Sequence, residues 1–257
     1  MGFKFILLGS GSSMGVPRAD GFFGKCDPKN KKNYRTRCSA LIQLKDNNIL
    51  IDTSPDLRNQ LLSNKIKSID KIFYTHLHAD QTHGINDLRA FFISNKKQIP
   101  VYADNITSNY LYKTFNYCFK STYGYPSILT LKNLKNKQSF KIKNKKLSIQ
   151  SIKVKHGKIK SICYLLNNRL AYASDISHFF KKDLNLLKNL DYFIIDCLWF
   201  KNHPAHFNLK QVLKLVEKIK PKKTILTNMH NDLDYNHLLK ILPKNIVPGY
   251  DGLRLEF

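Results

Sequence analysis

No apolar run in this sequence approaches the ~20 residues that a membrane-spanning helix needs, so no membrane role is expected. The opening Phe3-Lys4-Phe5-Ile6-Leu7-Leu8 is cut off by Gly9-Ser10-Gly11-Ser12-Ser13. It is too short for a secretory core and reads as a first buried strand, so the expected location is cytoplasmic. Cysteine is thin, an odd total of five at Cys26, Cys38, Cys118, Cys163 and Cys197. No two of them form a Cys-x-x-Cys pair, which argues against a disulfide framework and a cysteine zinc knuckle. Cys163 and Cys197 lie in apolar runs and read as small core residues. A Pro/Ser/Gly-rich linker is lacking as well, and a single domain over residues 1–257 is expected.

Acid is scarce too. Asp and Glu total 18 against 43 Lys and Arg, a formal net charge of +25, and Leu129 to Lys160 contains no acid at all. Two readings follow. One is an anionic partner, a phosphorylated metabolite or RNA. The other is a lysine- and asparagine-rich bias carried on a solvated surface. The second is favoured, because lysine outweighs arginine and is scattered, whereas nucleic-acid patches cluster Arg with aromatics.

What the chain does have is apolar content enough for a sizeable core: 42% hydrophobic residues, 12% aromatic, a composition that folds. Phe3–Leu8, Ala40–Leu44, Ile49–Ile51 and Lys71–Tyr74 are short apolar or alternating runs and predict strands. Helical spacing of Ile85, Leu88, Phe91 and Phe92 predicts a helix from Gly84 to Asn95, and a second spans Asn105 to Lys120. The plan then repeats. Phe140–Lys143, Lys146–Lys155, Ser161–Leu166, Arg169–Ala173, Tyr192–Cys197 and Thr224–Thr227 predict strands. Helices are expected at His178–Leu190, Asn208–Ile219 (Asn208 as N-cap) and Tyr235–Leu242. Strands then helices, twice over, imply an α/β protein with two sheets face to face and helices on the outer faces.

The sharpest motif is Thr75-His76-Leu77-His78-Ala79-Asp80-Gln81-Thr82-His83-Gly84, placed between a strand and a helix. Three histidines and an aspartate in one such turn suit adjacent divalent ions that share imidazole and carboxylate ligands. Further ligands are sought at strand ends, where a sheet can aim them: His156, Asp175 and His230.

With those residues in order, the chain resembles the metallo-β-lactamase superfamily, and within it the PhnP-type phosphoribosyl 1,2-cyclic phosphate phosphodiesterases, themselves related to ribonuclease Z. Leu8–Pro17, Arg37-Cys38-Ser39, Ile51-Asp52-Thr53, Gly84–Arg89 and Ala205-His206-Phe207-Asn208 carry the likeness. The resemblance implies an αββα sandwich and two divalent ions, Zn2+ or Mn2+. His76, His78 and His156 would hold one ion, Asp80 and His230 the second, and Asp175 would bridge them. The family's signature is HxHxDH, and Gln81 stands at the last position; an amide oxygen is a weaker ligand than imidazole, so the second site is expected to be weak. His83 reaching back is an alternative. A structural zinc site near Cys26 is not expected, nor the Gly/Pro-rich arm with which ribonuclease Z grips tRNA.

The implied reaction is hydrolysis of a small phosphoester, cyclic ones included, by water activated on the metals. Asp80 would orient that water. His206, with His203 as its rival, would protonate the leaving group from a mobile loop position with an unshifted pKa. Arg89 would bind the substrate phosphate, with Arg18, Arg35 and Arg37 flanking the mouth, although Arg37 reads equally as an ion-pair partner. Asp52 would organise the metal-binding turn from behind. Competing readings are a ribonuclease Z-type RNA nuclease, a lactonase- or thioesterase-type hydrolase, and a non-catalytic nucleic-acid-binding relative. A homodimer is compatible with the family.

Overall fold

The computed structural model describes residues 2–122, 124–142 and 144–257. They form two seven-stranded sheets. The first contains β1 (Lys4–Gly9), β2 (Ser39–Leu44), β3 (Asn47–Ile51), β4 (Lys71–Phe73), β5 (Ile99–Ala103), β6 (Leu129–Asn133) and β14 (Leu253–Glu256), in the order β14-β1-β2-β3-β4-β5-β6. The second contains β7 (Lys137–Ile142), β8 (Lys145–His156), β9 (Ile159–Leu166), β10 (Leu170–Ala173), β11 (Tyr192–Asp196), β12 (Lys223–Thr227) and β13 (Ile246–Pro248), in the order β13-β12-β11-β10-β9-β8-β7.

Period-two alternation explains why the strands read as continuous apolar runs. In β1, Phe5 and Leu7 enter the core between the sheets, while Ile6 and Leu8 face the helices outside the first sheet. In β10, Leu170 and Tyr172 face the first sheet, and Ala171 and Ala173 face the outer helices of the second. Both faces of each central strand are therefore buried, which produces three apolar cores and four layers, the αββα sandwich. Outside the first sheet lie α1 (Leu57–Ser63), α2 (Ala79–Thr82), α3 (Arg89–Asn95), α4 (Asn105–Thr114) and α5 (Asn116–Phe119). Outside the second lie α6 (Leu209–Ile219) and α7 (Tyr235–Ile241). Asn208 caps α6 in a full capping box with Gln211.

Three expected helices differ. Gly84–Asn95 opens with a 3-10 turn, Ile85–Leu88, before α3. Gly84 sits so close to the Ser54 carbonyl that a Cβ would collide with it, and this pins the start of that turn. Asn105–Lys120 breaks at Phe115, whose backbone leaves helical geometry. His178–Leu190 forms only a 3-10 segment at Lys181–Leu187. Lys143, the end of one expected strand, lies outside the described residues. Four strands lie outside the predicted set, β5, β6, β13 and β14; β5 and β13 carry Pro100 and Pro248, which mask a strand pattern. No described helix is long and apolar enough to cross a membrane.

Candidate metal centre

β1, β3 and β4 run in one direction in the first sheet, and β8, β10, β11 and β12 run in one direction in the second. Their C-terminal ends thus collect on one edge of the sandwich. There the sheets are stitched together: Met229 N–H donates to Ser10 O at 3.0 Å, and Ser12 N–H donates to Met229 O at 3.2 Å. Asp52, His76, His156, Asp175, Asp196 and Asn228 all stand at or just beyond strand ends on this edge. A strand end is where backbone pairing stops and a side chain is free to point into the crevice.

His76 and His78 follow β4, and His156 ends β8. His76 Nε2 lies 3.0 Å from His78 Nδ1, and His156 Nε2 lies 3.2 Å from the same atom. The outer nitrogens decide the tautomers. His156 Nδ1 is 2.8 Å from Ala205 O, a carbonyl, so the ring must donate there. Thr75 Oγ1 gives its single hydrogen to Asp52 Oδ2 (2.8 Å), so His76 Nδ1, 3.0 Å from that hydroxyl, is the donor in their contact. Both Nε2 atoms consequently present lone pairs to one point. Burial lowers the pKa of all three imidazoles, that of His76 to about 3. Neutral rings with converging lone pairs repel one another unless a cation lies between them, and this donor set fits a divalent transition ion.

Asp52, fully buried with φ +62°, holds the turn from behind: Oδ1 accepts Thr75 N–H at 2.7 Å, and Oδ2 accepts the Thr75 hydroxyl. Asp175 stands on the other side. Its Oδ2 accepts Gln81 Nε2 at 2.7 Å and its Oδ1 accepts Asn228 Nδ2 at 3.2 Å. Burial acts to raise its pKa, but the neighbouring His76, His206 and His156 outweigh that and lower it. Asp80, half-buried, is pushed up to about 7 by burial and then by the charge of Asp175. Two sets of side chains place their ligand atoms within 4.8 Å of one another: His76, His78 and His156, and His156, Asp175 and His206. Neither includes Asp80 or His230. His230 lines the same cavity, but its Nδ1 faces Asp232 N–H at 3.3 Å and its ring packs on Trp199, centroids 5.0 Å apart.

His206 is not the mobile loop residue expected. Its Nδ1 lies 2.7 Å from Asp196 Oδ2, and its ring lies 4.7 Å from His156. Burial by itself lowers the pKa, but contact with Asp196, aided by Asp175 and Asp80, outweighs it and raises His206 to about 9. His203 lines the cavity behind it, ring centroids 5.0 Å apart. Arg89 is also placed elsewhere: it is exposed, lies over Tyr125 at 5.0 Å, and lines a separate groove with Lys96 and Tyr117. The start of α3 turns it away from the strand-end edge. Arg35 is buried and donates to Leu233 O, Arg37 pairs with Asp56 at 2.9 Å, and Arg18 pairs with Asp20, so these arginines serve local structure. His83 faces Tyr110 at 3.2 Å and does not reach back. The crevice is a cavity of about 450 Å³, with Ser12, Met14, Trp199 and Asn228 among its walls.

Asp196 and Asn228 escaped the sequence reading. Asp196 carried a usable signal: like Asp52, it ends an apolar strand run at the edge where the other acids collect. Asn228, with φ +57°, is recognisable only in three dimensions, where its amide reaches Asp175, Asp196 (3.3 Å) and His206 (3.1 Å).

The family model described as the beta-lactamase superfamily domain matches residues 47–229, a span that includes the whole histidine cluster. The chain belongs to the β-lactamase superfamily. A crystal structure of a diphosphatase from the PhnP family superposes with a TM-score of 0.87 at 30% identity, covering 99% of this chain and 98% of that one. Zn2+-bound PqqB from Methylobacterium extorquens superposes with a TM-score of 0.81 at 14% identity, covering 99% of this chain and all of that one, a likeness of fold alone. A protein from Porphyromonas gingivalis named octanoyltransferase is 32% identical over 256 residues, 97% of this chain. This chain spans about half of that relative's length, 51%. Superfamily membership agrees with the αββα sandwich and with an imidazole cluster whose donor set suits a divalent ion.

Proposed function

We propose that the protein is a phosphodiesterase that hydrolyses a small phosphoester, cyclic diesters included. One observation carries the reading: three imidazole nitrogens converge on a point in a cavity that also holds a histidine, His206, in a 2.7 Å contact with the buried Asp196. His76, His78 and His156 would hold a divalent ion, Zn2+ or Mn2+, with Asp175 beside them. Such an ion supplies Lewis acidity, making water a nucleophile near neutral pH and offsetting charge on a phosphoryl group. The chain's own residues do the rest. Asp80 would orient the attacking water and accept its proton. His206, charged and fixed by Asp196, donates a proton to the departing alkoxide. Asp52, through Thr75, keeps the His76 lone pair aimed at the ion.

A cavity of about 450 Å³ suits a metabolite-sized ligand, and the PhnP-family diphosphatase among its neighbours works on phosphoryl groups. The +25 charge draws anions towards the protein. Octanoyl transfer is disfavoured as this chain's own activity, since the residues lining the cavity include no lysine or cysteine nucleophile. A second reading, an RNA phosphodiester as substrate, has one observation in its favour: Lys155 and Lys160 stand directly opposite each other on β8 and β9, beside His156. Like charges set side by side favour an anion across them.

The test is hydrolysis of bis(p-nitrophenyl) phosphate by metal-stripped protein with Zn2+ or Mn2+ restored. Turnover that returns with metal and vanishes in His76→Ala supports the reading. Absence of turnover with either ion, alongside hydrolysis of lactones or thioesters, sinks it. Oligoribonucleotide cleavage that falls steeply between low and moderate salt would transfer the assignment to RNA.

A further inference from the structure

Gln81 is fully buried at the centre of the site, and its amide lies between two carboxylates. Nε2 donates to Asp175 Oδ2 at 2.7 Å and to Asp80 Oδ2 at 3.3 Å, while Oε1 has no partner. Turning the amide over would satisfy nothing: it would set an oxygen against two carboxylates. The orientation is therefore dictated by the acids, at the expense of an unpartnered acceptor. An amide N–H pair in this position does what a cation between Asp80 and Asp175 would do, which is to hold two like-charged groups side by side.

The remaining geometry agrees. Asp175 receives an amide donor on each oxygen, from Gln81 and from Asn228, so the protein itself already takes up one acceptor site on each of them. Asp80 and His230 join neither of the gathered ligand sets. His230 is engaged at Nδ1 by Asp232 N–H and lies tilted against Trp199, whose indole donates to Asp232 Oδ2 at 2.7 Å.

We propose that this chain works with a single divalent ion, held by His76, His78, His156 and Asp175, and that Gln81 is the positioning residue that takes the place of a second. The inference rests on the metal-hydrolase reading above. Gln81 pins Asp80 towards the cavity and bridges the Asp80–Asp175 pair through its amide hydrogens without a metal. Replacing it with an imidazole, which offers a lone pair at the same place, opens a second site.

The experiment uses the full chain, stripped with chelator and titrated with Zn2+ by calorimetry, with elemental analysis after dialysis. Wild type is expected to bind one Zn2+ per chain and Gln81→His two, and His230→Ala is expected to keep one at unchanged affinity. Circular dichroism melts establish that each variant is folded. Two tightly bound ions in wild type overturn the proposal while leaving the hydrolase reading intact, and loss of an ion in His230→Ala does the same. A folded Gln81→His that still binds one ion shows that Gln81 is not what limits the site. If that variant does not fold, the wild-type count and His230→Ala decide. Failure of wild type to bind Zn2+ or Mn2+ at all defeats the underlying metal-hydrolase reading.

Discussion

At the scale of single residues, the site depends on which atom of each side chain carries a hydrogen. Asp52 never reaches the cavity, yet through Thr75 it sets the His76 tautomer. Asp52→Asn puts an amide hydrogen where an acceptor is needed. A loss of ~10–100-fold in Zn2+ affinity with the fold retained is expected, read by competition with a chromophoric chelator. His206 is anchored the same way by Asp196. If it protonates the leaving group, its importance grows as that group becomes harder to expel. His206→Ala should therefore slow hydrolysis of an alkyl phosphodiester by ~10²–10⁴-fold, and of a p-nitrophenyl ester much less. Equal losses with both substrates would remove His206 from the acid role. Asp52 was legible in the sequence as a strand-end acid behind the motif. The Asp196–His206 pair was not, because they stand ten positions apart in the chain with a loop and a change of direction between them. No periodicity encodes such a meeting.

At the scale of elements, alternation and capping did most of the work. β1, β9, β11 and β12 are recognisable from apolar runs alone, since both sheet faces are buried, and β8 from the alternation of apolar residues with lysine along a half-exposed strand. α6 was legible from Asn208 and its apolar spacing, and the capping box with Gln211 is its local cause. Asn208→Ala is expected to cost about 1 kcal/mol of stability, seen as a lowered midpoint in thermal or urea melts. The same change loosens the segment that carries His206 two residues earlier, so kcat should fall more than KM rises. Where sequence reading stumbled, tertiary contacts had overridden local preference. The expected helix after Gly84 became a 3-10 turn because Gly84 is pressed on the Ser54 carbonyl. Similarly, the His178–Leu190 segment tightened into 3-10 turns.

At the scale of the molecule, the two halves are joined through groups far apart in the chain. Asp251, partly buried, accepts four hydrogens: Ser10 N–H and hydroxyl, at 2.9 and 2.8 Å, and Thr36 N–H and hydroxyl, at 2.7 and 2.6 Å. Burial raises its pKa to about 6, and those donors offset only part of the effect. A carboxyl raised in the folded state contributes most stability below its unfolded pKa of ~3.9 and loses it as pH rises through the folded value. The stability of wild type relative to Asp251→Asn should accordingly increase by up to about 3 kcal/mol as pH falls from 7 to 4. Urea titrations of both proteins at the two pH values measure that double difference, and a constant difference would show that Asp251 does not titrate in this window.

The αββα class and the strand-end histidines His76, His78 and His156 were determined by the sequence alone, because burial on both sheet faces and a histidine-rich strand-to-helix turn are local signals. Arg89 reads locally as a phosphate ligand, but only the tertiary structure sends it to another groove, through the direction in which α3 leaves the turn. The roles of Gln81, Asn228 and Asp196 were likewise decided by the packing of the two sheets. A hydrogen bond between residues many positions apart exists only when strand ends from both sheets meet at one edge, and that meeting is a property of the whole chain.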